Sequence, residues 1–121
     1  MTDIARRRAH RFGIVAEYLC AALLILKGYS IIAMRQRNRM GEMDIIASRG
    51  KLIVFVEVKA RGSEREALES VSADKRGRIE RAATAFVAKH ARYAQHGLRF
   101  DVMVVTSPWK IRHLKDAWRV Q

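Results

Sequence analysis

Residues 41–59 read GEMDIIASRGKLIVFVEVK, two strongly apolar segments separated by a short polar turn. Apolar runs bounded by glycine and charged residues predict a β-hairpin, with strands at residues 42–48 and 52–59. A strand this apolar has no structural need for a glutamate and a lysine at its end, and its partner strand also carries an acid. The first candidates for a functional site are therefore Asp44, Glu57 and Lys59.

The register of this hairpin decides whether the two acids meet. Side chains alternate across a strand, so Glu57 and Lys59 lie on one face. In an antiparallel pair of strands, the numbers of any two paired residues add up to the same value. A one-residue slip between the strands moves a side chain to the other face of the sheet. A sum of 101 sets Asp44 directly opposite Glu57, and 99, from a two-residue Arg49–Gly50 turn, sets them diagonally. An even sum would place the acids on opposite faces and destroy the site.

Two carboxylates held together repel each other, and a divalent cation between them removes that repulsion. Hard oxygen ligands suit Mg²⁺ or Mn²⁺, either of which would assist hydrolysis of a phosphodiester. Lys59, on the face of Glu57, would orient the attacking water or stabilise the developing negative charge. The simpler alternative is an exposed salt bridge between Glu57 and Lys59, which contributes little.

Glu17 shows the same anomaly on a helix predicted at residues 12–27. It is the sole charge between Ile14 and Leu26. An ionised carboxylate on so apolar a helix needs a partner or a cation, or its pKa must rise. Alongside the hairpin acids, this favours a further carboxylate in the metal site. The alternatives are a solvent-facing position and a pair with a nearby arginine.

Hydrophobic periodicity predicts a mixed α/β fold, with a central sheet flanked by helices. Residues 1–11 are expected to be frayed or loosely helical, and residues 60–71 a mobile loop. Residues 110–120 are compatible with a strand or a short helix. The order is αβββαβ plus this last element, in a single domain spanning residues 1–121. The other elements are helices at 12–27 and 72–90 and strands at 29–36, 42–48, 52–59 and 98–106.

Composition points to a polyanionic partner. The chain has 24 Lys and Arg against 12 Asp and Glu, a net charge of +12, which favours nucleic acid ahead of a membrane. Cys20 is the sole cysteine, so the chain fits a reducing compartment. The uncharged run at residues 18–26 has nine residues, about half of a membrane span. With no clear secretory signal, we expect a cytoplasmic protein without a membrane partner.

These residues resemble the PD-(D/E)XK nuclease superfamily, especially the branch similar to archaeal Holliday-junction resolvases. More closely, the chain is similar to the YraN-like family of bacterial proteins, nearly end to end. Met43 stands where the superfamily's proline would precede Asp44, a position that contributes no ligand. The matching segments are residues 13–17 (GIVAE), 37–38 (RN), 41–47 (GEMDIIA), 55–61 (FVEVKAR), Lys75 and 99–101 (RFD).

The resemblance implies a restriction-endonuclease-like core with Mg²⁺ or Mn²⁺ as cofactor. Asp44, Glu57 and the backbone carbonyl of Val58 would bind the metal. Lys59 would be catalytic, and Glu17 would be an added acidic ligand, direct or through water. The superfamily analogy also allows a two-fold homodimer.

Basic and polar residues near the hairpin are candidates for binding a phosphate backbone, and the cluster matters more than any member. The set is Arg37, Asn38, Arg61, Lys75, Arg76 and Arg78, with Arg35 and Arg39 as further candidates. The leading hypothesis is a metal-dependent endonuclease acting on DNA, with branched and single-stranded DNA as candidate substrates. The alternatives are a non-catalytic nucleic-acid-binding module on a nuclease scaffold and, less favoured, a protein-assembly factor.

Several other polar and aromatic residues have structural interpretations. Asp101 is expected to pair with Arg99 or Lys110. Trp109 and Trp118 are expected to pack on the sheet or on a partner subunit rather than to stack on unpaired bases. Four histidines show no metal-ligand spacing and are expected on the surface: His10, His90, His96 and His113.

Overall fold

The computed structural model describes residues 2–60 and 62–119 and confirms an α/β fold. A five-stranded mixed sheet has the order β1-β2-β3-β4-β5, in which only the β3–β4 pair is parallel. Helices cover the sheet. The elements are α1 (Asp3–Leu26), β1 (Ser30–Asn38), β2 (Gly41–Arg49), β3 (Leu52–Lys59), α2 (Glu64–Glu69), α3 (Ala73–Ala88), a 3₁₀ turn (Ala91–Tyr93), β4 (Gly97–Ser107) and β5 (Lys110–Trp118).

The hairpin register has the odd parity that the site requires. Ile45 pairs with Val56, so paired residues of β2 and β3 sum to 101. The turn lies one residue later than the Arg-Gly turn considered above. Gly50 occupies it with a φ of 61°, which glycine adopts without strain. Continued by one residue, this register sets Asp44 across from Glu57 on one face of the sheet.

Both faces of the central strand are buried. Ile53 and Phe55 pack in the core beneath α2 and α3, and Val54 and Val56 pack in the core beneath α1. Burial on both faces is expected where a strand has a parallel neighbour. The apolar residues of β3 therefore contribute to both cores. The Glu57 side chain lies on the same face of the strand as Ile53 and Phe55, the face that is covered by α3.

The first helix is longer than predicted. It begins at Asp3 because the Thr2 hydroxyl accepts a hydrogen bond from the backbone N–H of Ala5 at 3.1 Å. Most of the segment expected to be frayed is therefore regular helix.

By length and composition α1 is also apolar enough to cross a membrane, at a mean hydropathy of 1.6, which is weak evidence by itself. Its inner side, including Cys20 and Leu24, is fully buried.

The expected mobile loop at residues 60–71 contains α2, so that prediction was wrong. Ser63 caps this helix by accepting from the N–H of Glu66 at 3.1 Å, the spacing of a capping box. Ala67 anchors the helix in the core with no exposed surface.

The sequence allowed a strand or a short helix at residues 110–120. The structure has a strand there, β5, and Val120 lies outside the described residues.

Candidate functional site

A cavity of about 370 Å³ opens where β2 begins and β3 ends. Helix α1 forms one wall and α3 forms the opposite wall. The structure thus brings together the four predicted catalytic residues and Val58, although they come from three elements. The charged residues that line the cavity are Glu17, Glu42, Asp44, Glu57, Lys59, Lys75 and Arg78.

The carboxylates of Asp44 and Glu57 form the centre of this cavity. The N–H of Val58 donates to Asp44 Oδ2 at 2.8 Å, which holds the aspartate against the end of β3. Glu57 is only 4% exposed. Burial, followed by the charge of Asp44 and a hydrogen bond with it, raises the pKa of Glu57 to about 8. A raised pKa is expected for a buried carboxyl group that lies beside a second acid.

Two lysines flank the acid pair. Lys59 is 7% exposed and lies on the sheet face of Glu57. Burial, together with the neighbouring charge of Lys75, lowers the pKa of Lys59 to about 8. Lys75 reaches the site from the first turn of α3, with its Nζ 3.9 Å from Glu57 Oε2. Ser72 accepts from the N–H of Lys75 at 3.3 Å, so the capped end of α3 positions this lysine.

Glu17 lines the cavity but is paired with an arginine. Arg35 Nε donates to Glu17 Oε2 at 2.8 Å. Burial raises the pKa of Glu17, the bond to Arg35 lowers it, and the charge of Asp44 raises it; the net shift is upward. Among residues 2–60 and 62–119, no three His, Cys, Asp or Glu side chains converge as a metal-binding group. The arginine pair considered from the sequence is thus present, at the cavity itself.

Two of the predicted nucleic-acid-binding residues, Lys75 and Arg78, line the cavity. Arg37, Asn38 and Arg76 do not line it. Arg37 has a largely exposed side chain and pairs with Glu42 at 3.3 Å. Arg61 lies outside the described residues.

Asn38 and Arg76 have bonds within the protein that explain their presence. Asn38 donates to the Ala82 carbonyl at 3.0 Å and accepts from the N–H of Met40 at 2.9 Å, which ties the β1–β2 turn to α3. Arg76 donates to the Val71 carbonyl at 3.0 Å. Its guanidinium also lies over the Trp118 ring at 5.6 Å.

A second buried charged cluster surrounds Asp101, which has no exposed surface. Arg99 donates to both of its oxygens at 2.8 Å, so Arg99 rather than Lys110 is its partner. His113 Nε2 lies 2.7 Å from Asp101 Oδ2, and the N–H of Asp116 donates to Oδ1 at 2.9 Å. The residues of this cluster do not line the cavity.

His113 corrects the expectation that all four histidines are on the surface. Its side chain is 2% exposed because β5 turns it towards Asp101. Lys27 Nζ lies 2.9 Å from its Nδ1, and an ammonium can only donate. Nδ1 therefore accepts, and Nε2 carries the proton that is donated to Asp101.

The tryptophans also differ from each other. Trp118 is buried and stacks on Phe100 with a centroid distance of 5.2 Å, as the packing interpretation requires. Trp109 is 86% exposed, so it does not pack on the sheet, and packing on a partner subunit stays a prediction.

The cavity lies almost wholly within a segment that matches a known family. The family model described as "Uncharacterised protein family UPF0102" matches residues 16–105, which include Glu17, the hairpin and α3. The chain belongs to UPF0102. Membership in the YraN-like family, expected from the motifs, is thereby confirmed.

Relatives in UPF0102 are similar over most of their length. A UPF0102 protein of Rhizobium etli is 47% identical over 113 residues, covering 93% of each chain. One from Paramagnetospirillum magneticum is 47% identical over 121 residues, 96% of this chain and 93% of the relative. One from Mesorhizobium japonicum is 49% identical over 106 residues, which are 88% of this chain and 84% of the relative.

Proposed function

We propose that this protein is a Mg²⁺- or Mn²⁺-dependent endonuclease of the PD-(D/E)XK type that hydrolyses phosphodiester bonds in DNA, with branched and single-stranded DNA as candidate substrates. The observation that carries the proposal is the buried Glu57 beside the half-buried Asp44, with Lys59 on the sheet face of Glu57. Such a pair is costly to a folded protein unless a cation compensates it.

The donor set fits a hard divalent cation. Asp44 and Glu57 provide carboxylate oxygens, and the carbonyl of Val58 provides a third oxygen. In an extended strand the N–H and C=O of one residue point to the same side, and the N–H of Val58 is directed at Asp44. When bound, the ion would neutralise charge on the scissile phosphate and lower the pKa of the attacking water.

Lys59 supplies a proton-carrying group beside the acids. A pKa of about 8 leaves the side chain mainly protonated at neutral pH, yet able to exchange its proton. We assign it to stabilising negative charge as it develops on the phosphate.

Lys75 and Arg78 would hold the neighbouring phosphates at the cavity mouth. The net charge of +12 would draw the polyanion towards the whole surface. The carboxylates at the centre of the cavity would thus bind the metal, and Lys75 and Arg78 would bind phosphate.

The test is cleavage of branched, nicked and single-stranded DNA with Mn²⁺. Asp44→Asn and Lys59→Ala are each expected to lower the rate by about 10²-fold or more, as losses of metal or charge stabilisation do. Asp3→Asn and Lys115→Ala make the same charge changes at exposed positions and should cleave at the wild-type rate. Salt-dependent binding of DNA without cleavage would replace the proposal with the non-catalytic module.

A further inference from the structure

Glu17 and Arg35 form a contact that the proposed chemistry does not use. Glu17 belongs to the cavity of Asp44 and Glu57, and its side chain is 14% exposed. Arg35 is 43% exposed and approaches from β1, with its Nε 2.8 Å from the carboxylate. A third carboxylate is therefore at the site, but its charge is already compensated by an internal cation.

The backbone of Arg35 is unusual at this position. Its φ is 53°, in the left-handed region that arginine rarely adopts. Met34 pairs with Ile45 and Gln36 with Met43, so Arg35 occupies the strand position across from Asp44. A strained residue at such a position persists because its surroundings hold it there. The strand therefore departs from regular geometry at the residue that binds Glu17.

The charges explain why Glu17 needs this partner. Burial and the neighbouring charge of Asp44 both raise the pKa of Glu17, and the bond from Arg35 opposes them. A divalent ion at Asp44 and Glu57 would oppose the same repulsion. Because Arg35 engages the Glu17 carboxylate, the guanidinium and the ion compete for it.

We infer that Arg35 is a positioning residue that restrains Glu17, and that its release lets Glu17 join Asp44 and Glu57 as the third carboxylate on the metal. The inference rests on the proposed function. It predicts that the bond to Arg35 weakens metal binding.

The experiment is titration of the protein with Mn²⁺ alone, followed by the EPR signal of free Mn²⁺, without DNA. Arg35→Gln should bind Mn²⁺ about tenfold more tightly than wild type, because the competing cation is removed. The matched control is Arg37→Gln, which lies on the same strand, makes the same charge change and removes a bond to another cavity residue, Glu42. It should change the affinity about twofold at most.

A second background isolates the role of Glu17. Glu17→Gln should weaken Mn²⁺ binding, and adding Arg35→Gln to it should then have no further effect, because the two residues act on one contact. A merely structural role for Arg35 would give weaker binding in Arg35→Gln, not tighter.

Two results would overturn the inference and are distinguishable. If wild type binds Mn²⁺ through Asp44 but Arg35→Gln behaves like Arg37→Gln, the inference fails and the proposed function stands. If neither wild type nor Arg35→Gln binds Mn²⁺ at millimolar concentration, the metal site itself fails and both proposals fall.

Discussion

In the described part of the chain two groups of charged residues are buried around Asp101 and Glu57, and they differ in how these two acids are satisfied. Burial alone would raise the pKa of Asp101, but hydrogen bonds from His113, Arg99 and the Asp116 backbone hold it below its usual range. Burial and Asp44 instead raise the pKa of Glu57 to about 8. A buried acid with a full set of donors stabilises a fold, whereas a buried acid facing another acid marks a site.

The largest expected effect is loss of stability at the satisfied group. Asp101→Asn leaves Arg99 without its carboxylate partner, and breaking one side of a buried pair costs about 3–5 kcal/mol. The free energy of unfolding from urea denaturation measures this. Asp3→Asn, at an exposed position, is the control and should change stability by less than about 0.5 kcal/mol. A cost below about 1 kcal/mol for Asp101→Asn would remove the distinction between the two groups.

At Glu57 the corresponding substitution is expected to stabilise the metal-free protein, which is the opposite of the effect at Asp101. Its pKa in the folded state, about 8, lies above the ordinary value of 4.5. Deprotonation therefore opposes folding, and the protein loses stability as the pH rises from about 4.5 to about 8. Glu57→Gln should remove this slope and stabilise the protein on the order of 2 kcal/mol above pH 8.

The measurement for Glu57→Gln is the free energy of unfolding from pH 5 to pH 9 in the presence of a chelator. Glu69→Gln, on an exposed side chain, should leave the slope of wild type unchanged. Destabilisation by Glu57→Gln across this range would mean that Glu57 is a satisfied structural acid like Asp101.

A smaller effect is expected at Lys59. Its pKa in the folded state, about 8, lies below the ordinary 10.5. Carrying the charge therefore opposes folding below pH 8, and the protein gains stability as the pH rises from about 8 to about 10.5. Lys59→Met should stabilise the protein by roughly 1 kcal/mol at pH 7 and should lower cleavage. Thermal unfolding at pH 7 and pH 10 checks this, and destabilisation at pH 7 would contradict it.

The parts of the fold that were predictable from the sequence depend on strong local signals. Strand β3 has the predicted bounds, Leu52–Lys59, because its apolar run is bounded by a glycine turn and a polar segment. Helix α2 was missed although Ser63 and Glu66 have capping-box spacing. The polar composition of that segment outweighed the one buried alanine that docks the helix.

The candidate site was predictable in its members but not in its contacts. Asp44, Glu57 and Glu17 were each identified as charges on apolar elements, which is a local property. The hairpin parity depends on which residue takes the left-handed position in the turn, and several registers satisfy the pattern. The positive φ of Arg35 and its bond to Glu17 depend on tertiary packing, which no local pattern encodes.

The most direct test of the central claim, that Asp44 and Glu57 form a metal-binding pair, is isothermal titration calorimetry with Mn²⁺ at pH 7. Titration in two buffers of different ionisation enthalpy gives the number of protons released. Since Glu57 is mainly protonated at pH 7, binding should release about one proton per ion, and Asp44→Asn should abolish binding. Binding that persists in Asp44→Asn, or that releases no proton in wild type, would contradict the account.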